Sequence, residues 1–303
     1  MDMMSKQKSD NVVSSKNVFS IDVEDYFHVA AFSKVVSMSD WSSYKSRVVR
    51  NTEVILDMLD KHHVKATFFV LGWVCEKEPG LIKKIYSAGH EIASHGYSHQ
   101  MIYNQTPEKF REETLRSKKL LEDVIGEKVR GYRAASYSIT KKSLWALDIL
   151  AEAGFEYDSS IFPVRHDNYG LTTSPVEPYK IITASGAELI EFPLTSLNVF
   201  GYRLPVAGGG YFRLFPFWFV NWALKRINAT TGRPFLFYIH PWEVDTEQPK
   251  IEAGFKSSFR HYNNLDKCEA RLNKLLNNFP FGRFSDYLQN SQVDRILKIA
   301  ELN

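Results

Sequence analysis

Three short segments of the chain carry side chains able to hold a metal ion or move a proton. Asp22-Val23-Glu24-Asp25 follows the apolar run NVFSI directly. Along a strand alternate side chains share a face, so Asp22 and Glu24 point one way and Asp25 the other. The same acids would also suit the first turn of a helix. His95-Gly96-Tyr97-Ser98-His99 follows EIAS. Two histidines four apart converge on one side of a helical turn, a spacing that suits a shared metal; a pair of surface or core histidines is the bland alternative. His240 ends the apolar run PFLFYIH and precedes Pro241-Trp242-Glu243. Taken alone, a histidine at a strand end reads as structural. Arg133, closing VRGYR, adds a cation that can keep a carboxylate ionised and oriented.

Together these parts make a recognisable chemistry. Two imidazoles and one carboxylate, with positions left for water, form a recurrent hydrolytic metal site. Such a metal brings the pKa of water toward about 7. A second carboxylate can then act as base, while a separate histidine protonates the leaving group. The chain supplies each part once, always at the end of an apolar run.

The elements around these segments alternate between strand-like and helix-like. Strands are expected at 18–23, 66–71, 91–93, 129–133, 155–157 and 234–240, and helices at 46–62, 79–88, 106–125 and 140–153. That alternation argues for parallel strands joined by crossover helices. Residues 160–215 are looser and rich in Pro, Gly and Ser, 265–278 is amphipathic, and a last helix is expected over Val293 to Leu302. No low-complexity linker or internal repeat divides the chain, so one α/β domain with insertions is expected over 18–303, after a disordered polar tail at 1–17.

Composition bounds the function. The 303 residues are 44% hydrophobic and 24% charged, with a formal net charge of +3. That balance matches globular averages and gives no case for nucleic acid or an anionic membrane as partner. Cys75 and Cys268 lack the spacing of a disulfide framework or a thiolate zinc site. No signal-peptide core is seen, and the most apolar stretches fall short of the roughly 20 residues a bilayer requires. Phe215 to Leu224 therefore reads as a core helix, and the cytoplasm is the expected compartment. Gly208-Gly209-Gly210 lacks the lysine of a phosphate loop and reads as a close backbone approach near the site.

In this order the elements resemble the polysaccharide deacetylases, the NodB-homology carbohydrate esterases, most specifically in HGYSH. The segments IDVEDYFH, GGGYFR and FRHYNNLDKCEARL further resemble a bacterial subgroup associated with exopolysaccharide biosynthesis and exosortase-type sorting, and about residues 244–303 form its C-terminal segment. The resemblance implies a distorted (β/α) barrel. It also implies that Asp22 is the general base, oriented by Arg133, that His95 and His99 are metal ligands, and that His240 is the general acid, with Asp158 in the place of the acid that tunes it. The Arg133–Tyr137 loop would offer amides to the oxyanion, and Tyr137, Tyr211 and Trp242 would meet the sugar. Two departures stand out: Val23 separates acids that are adjacent in the family, and Ala135 stands where the family has proline. Glu24 is assigned as third ligand because alternation keeps it beside Asp22, with Asp25 as competitor.

The expected activity is a metal-dependent removal of acetyl groups from an N-acetylated glycan, an exopolysaccharide or its precursor. Zinc is the first choice of metal, and cobalt, nickel or manganese would also suit the ligands. A small-molecule amide or ureide hydrolase on the same barrel is the rival within enzymes, and a non-catalytic glycan-binding protein the rival outside them. The metal's identity, the sugar and the oligomeric state are not encoded in these motifs.

Overall fold

A computed structural model describes residues 16–166, 169–290 and 293–302. Among the described residues the strands are β1 (Asn17–Val23), β2 (Thr67–Val70), β3 (Glu91–Ser94), β4 (Gly131–Tyr132), β5 (Tyr157–Asp158), β6 (Tyr179–Ile182), β7 (Glu188–Glu191), β8 (Ser196–Val199), β9 (Tyr202–Pro205), β10 (Leu236–Ile239), β11 (Phe281–Gly282) and β12 (Ile296–Lys298). The main sheet runs β10-β1-β2-β3-β4-β5-β7-β6-β12, with β11 also pairing β1. Every pairing in it is parallel except β6 with β7. β8 and β9 form a separate antiparallel hairpin.

The helices are α1 (Val48–Lys61), α2 (Gly72–Lys77), α3 (Pro79–Ser87), α4 (Pro107–Ile125), α5 (Trp145–Glu152), α6 (Gly209–Leu214), α7 (Phe217–Thr231), α8 (Phe255–Tyr262), α9 (Cys268–Asn278) and α10 (Phe284–Asn290). Those between β1 and β5 are the crossovers that parallel strands require. Local signals set their ends. Thr106 Oγ1 accepts the Lys109 amide at the start of α4, Pro107 occupies its first turn, and Gly126 ends it in the left-handed conformation at φ 72°. β1, between β10 and β2, is buried along all seven residues.

Three expectations change. Val293 to Leu302 is not an α-helix: β12 pairs in parallel with β6, and a 3₁₀ turn follows at Ile299–Leu302. The reason is the open edge of β6, where Lys180 N donates to Arg295 O at 2.8 Å. The 140–153 helix begins only at Trp145, because Ser143 Oγ accepts the Thr140 amide and holds a turn there. The polar tail at 1–17 falls outside the described residues except for Lys16 and Asn17, and Asn17 already belongs to β1. As expected, the 215–224 run packs on the core, through Val220, Ala223 and Leu224 of α7. No helix among the described residues is long and apolar enough to cross a membrane.

Candidate active site

The chemically capable residues collect at the C-terminal ends of adjacent parallel strands, where α/β folds place their ligands. Asp22 lies near the end of β1, and Glu24, His95, Arg133 and His240 follow β1, β3, β4 and β10. Strand order alone makes these neighbours, since β10, β1, β2, β3 and β4 are consecutive in the sheet.

Asp22 and Arg133 form the buried base of the site. Arg133 Nη1 donates to Asp22 Oδ1 at 2.6 Å and to Ser20 Oγ at 2.9 Å. Its Nε and Nη2 reach Ser159 O and Oγ, and its guanidinium lies 4.0 Å from the centre of the Phe69 ring. A buried ion pair holds only when its remaining donors are satisfied, and these are. Burial alone would lower the Arg133 pKa; Asp22 outweighs it and moves the pKa upward. On its other oxygen Asp22 faces Tyr137 Oη at 3.4 Å and His240 Nε2 at 3.9 Å.

Beside this pair sits a set of metal-ligand atoms. One donor atom each from Glu24, His95 and His99 lie within 4.8 Å of one another. Glu24 Oε2 is 2.9 Å from His99 Nε2, yet no hydrogen bond satisfies that oxygen. His95 Nδ1 lies 2.8 Å from Arg133 O. As a donor to that carbonyl, Nδ1 leaves Nε2 as a bare lone pair. His99 is bent into the left-handed region at φ 51°, a strained backbone of the kind found at working sites. An unsatisfied buried carboxylate oxygen facing imidazole nitrogens is what a divalent cation would fill, so the donor set fits one. Burial would raise the Glu24 pKa, but the neighbouring His99 and His240 hold it far below the ordinary carboxylate range. Burial brings His95 down to about 4, keeping it neutral.

Asp25, the competing ligand, is fully engaged elsewhere. Its Oδ2 accepts from Ser46 Oγ, Arg47 N and Val48 N, and its Oδ1 accepts from Tyr26 N. It therefore anchors the start of α1, where an anion is favoured. Of the two acids, Glu24 is the one that lies beside the histidines.

His240 is held from the opposite side. Its Nδ1 is 2.7 Å from Glu243 Oε1, which also accepts the His240 amide at 3.1 Å. Arg213 Nε in turn donates to Glu243 Oε2 at 2.6 Å. His240 Nε2 faces Glu24 Oε1 at 3.6 Å. Burial opposes charge on His240, but Glu24, Glu243 and Asp22 together raise its pKa to about 9. Burial would likewise raise Glu243, yet Arg213 and His240 bring it down to about 2.

Residues 39–157 match the family model described as polysaccharide deacetylase, and residues 159–289 match one described as a domain of unknown function (DUF3473). A peptidoglycan-N-acetylglucosamine deacetylase of Bacillus cereus is 35% identical over 98 residues, 32% of this chain and 36% of the relative. A chitooligosaccharide deacetylase of Bradyrhizobium is 31% identical over 100 residues, 33% of this chain and 43% of the relative. Over residues 39–157 the chain is similar to the polysaccharide deacetylases. Its matches span well under two thirds of these relatives' lengths. The fold agrees across a wider span: a Mycobacterium smegmatis structure, provisionally designated a polysaccharide deacetylase, superposes with TM-score 0.57 at 19% identity, covering 91% of this chain and 90% of that one. The PuuE allantoinase structure superposes with TM-score 0.54 at 16% identity, covering 94% and 87%.

Among deacetylase-like positions, the structure relocates several expected contributors. Asp158 does not touch His240; its carboxylate accepts from Ser160 Oγ at 2.5 Å and lies beside Glu191 on the next strand. Glu243 is the acid that contacts His240 instead. The signal was present in HPWE, since residues i and i+3 of a 3₁₀ turn face each other. Trp242 cannot lie against a sugar. Its ring is buried between His240 at 5.1 Å and His261 at 4.1 Å, and its Nε1 donates to Glu24 Oε1 at 3.0 Å. The amides of Arg133, Ala134 and Tyr137 are engaged by Ser94 O, Ser160 Oγ and Ala134 O, so these three are not free for an oxyanion. Ser160 and Ser138 pin the loop where Ala135 replaces proline; Ser138 Oγ accepts the Ile102 amide at 2.9 Å. Tyr137 and Tyr211 lie with Tyr169 and Tyr238 along one side of the site. On the His99 side a cavity of about 640 Å³ opens, lined among others by Phe27, His28, Met38, Tyr97 and Lys109.

Proposed function

We propose that the protein is a metal-dependent hydrolase that removes acetyl groups from N-acetylated sugars of a glycan. The observation that carries this reading is the convergence of a Glu24–His95–His99 donor set with an Arg133-bound Asp22 and a second histidine, His240. The similarity to deacetylases of peptidoglycan and chitooligosaccharides supports an acetamido sugar as substrate. Glu24, His95 and His99 would hold a divalent cation, with zinc preferred and cobalt, nickel or manganese as alternatives. That cation supplies Lewis-acid polarisation of the acetamide carbonyl and acidifies water.

The chain's own residues do the rest. Asp22, paired with Arg133, accepts a proton from the attacking water. His240, on the far side of Asp22, donates a proton through Nε2 to the departing amine. The reaction then closes: water adds to the carbonyl carbon, the C–N bond breaks, and acetate and a free amino sugar leave. Tyr211 and the cavity beside His99 would carry sugar rings flanking the reacting one. An exopolysaccharide or its precursor, handled in the cytoplasm by a single catalytic domain, remains the proposed setting. Acetate release from chitooligosaccharides by metal-stripped and zinc-reconstituted protein tests the reading. Release only after reconstitution supports it; equal release from stripped protein removes the metal from the account, and binding of the glycan without release favours the non-catalytic alternative.

A further inference from the structure

We propose that Arg213 and Glu243 are positioning residues for His240, and that the region matching the domain of unknown function is therefore the acid half of one shared site. The inference rests on the deacetylase reading of His240. Both residues fall within 159–289, as does His240, whereas Asp22, Glu24, His95, His99 and Arg133 all precede residue 159.

The geometry is that of a locked imidazole. Arg213 is 1% exposed and Glu243 is fully buried. Glu243 Oε1 accepts two hydrogens from the same residue, His240 N and Nδ1, and so fixes both the backbone and the ring. With Nδ1 carrying the hydrogen, Nε2 is the atom turned toward Asp22 and Glu24. Glu243 Oε2 is filled by Arg213 Nε. Arg213 is immobilised in turn: Nη1 donates to His261 O and Asn263 O at 2.8 Å each, and Nη2 donates to Arg260 O at 3.1 Å. Those carbonyls belong to the end of α8, so GGGYFR and FRHYNN, far apart in sequence, meet at one guanidinium. Trp242 closes the unit, stacked against His240 with its Nε1 on Glu24. The deacetylase-matched region thus supplies His95, His99 and Arg133, the segment before it supplies Asp22 and Glu24, and the following region supplies the acid and its orientation.

A buried ion pair could instead serve folding alone, and the test separates the two roles. Removing one partner of such a pair strands a buried charge, whereas replacing both removes that cost. Glu243→Gln and the double variant Arg213→Met/Glu243→Gln would be compared with wild type for melting temperature, zinc stoichiometry and steady-state deacetylation. The positioning role predicts that the double variant folds and binds zinc like wild type, yet loses kcat by about 10²–10⁴-fold with KM within a few-fold. A double variant with wild-type kcat overturns the proposal. The ¹⁵N spectrum of His240, assigned against His240→Gln, gives a readout that needs no turnover. A hydrogen on Nδ1 in wild type supports the lock, and a hydrogen on Nε2 alone overturns it. Absence of turnover in wild type would count against the deacetylase reading, and the tautomer would still decide the relay.

Discussion

At the residue scale, the division of labour can be tested by substitutions that change one property each. Asp22→Asn keeps the shape of the side chain and removes its basicity; zinc content should stay at wild type while the rate falls about 10²–10⁴-fold. His95→Ala and His99→Ala should lose bound metal as well as activity, read as zinc per chain after dialysis. Arg133→Met should cost more than activity, because it leaves Asp22 as a buried, unpaired charge; loss of stability by about 3–5 kcal/mol in chemical denaturation is expected. Much of this site was legible in the sequence, since acids, histidines and arginine at strand ends can only converge if the strands are parallel neighbours. What was not legible depended on three-dimensional partners. Asp25 stood as the competitor of Glu24 until the start of α1 claimed it. Trp242 looked like a sugar platform until two histidines enclosed it.

The elements hold the site through close contacts that leave little room for change. Gly208 sits at φ 138°, and a Cβ there would lie 2.2 Å from Tyr238 O. Gly208→Ala should therefore push α6, which carries Arg213, away from β10, which leads to His240, and lower stability by at least about 1–3 kcal/mol in urea unfolding. Strands β5 and β7 present a different strain. Asp158 and Glu191 are register partners, both fully buried, and each keeps one oxygen without a partner. Burial raises the Asp158 pKa to about 6 and moves Glu191 upward too. The folded state then holds more protons than the unfolded chain between the ordinary carboxylate pKa and about 6, so stability falls as pH rises through that window. Asp158→Asn should flatten this fall, measured as unfolding free energy between pH 4 and 7; an unchanged slope would show that the pair does not share a proton. The strand–helix alternation was readable up to residue 157 because local periodicity follows the fold there. Strands β6, β7 and β12 were not, because their pairing is decided by the edge of the main sheet rather than by their own sequence.

For the whole molecule, one sheet carries contributions from both matched regions to a single centre, so metal binding and folding should be coupled. A ligand that binds only the folded state adds RT ln(1 + [L]/Kd), about 2.7 kcal/mol at a hundredfold excess over Kd. Stripping the metal with a chelator should thus lower the melting temperature, and zinc should restore it in wild type but not in His95→Ala. The central claim is that Asp22 and the Glu24–His95–His99 cluster act together on an acetamido sugar. It is tested most directly by measuring acetate released from chitooligosaccharides by zinc-loaded wild type and zinc-loaded Asp22→Asn side by side. The account predicts steady release by wild type and release lower by at least about a hundredfold in the variant, at equal zinc content. Equal release by the two proteins would contradict it.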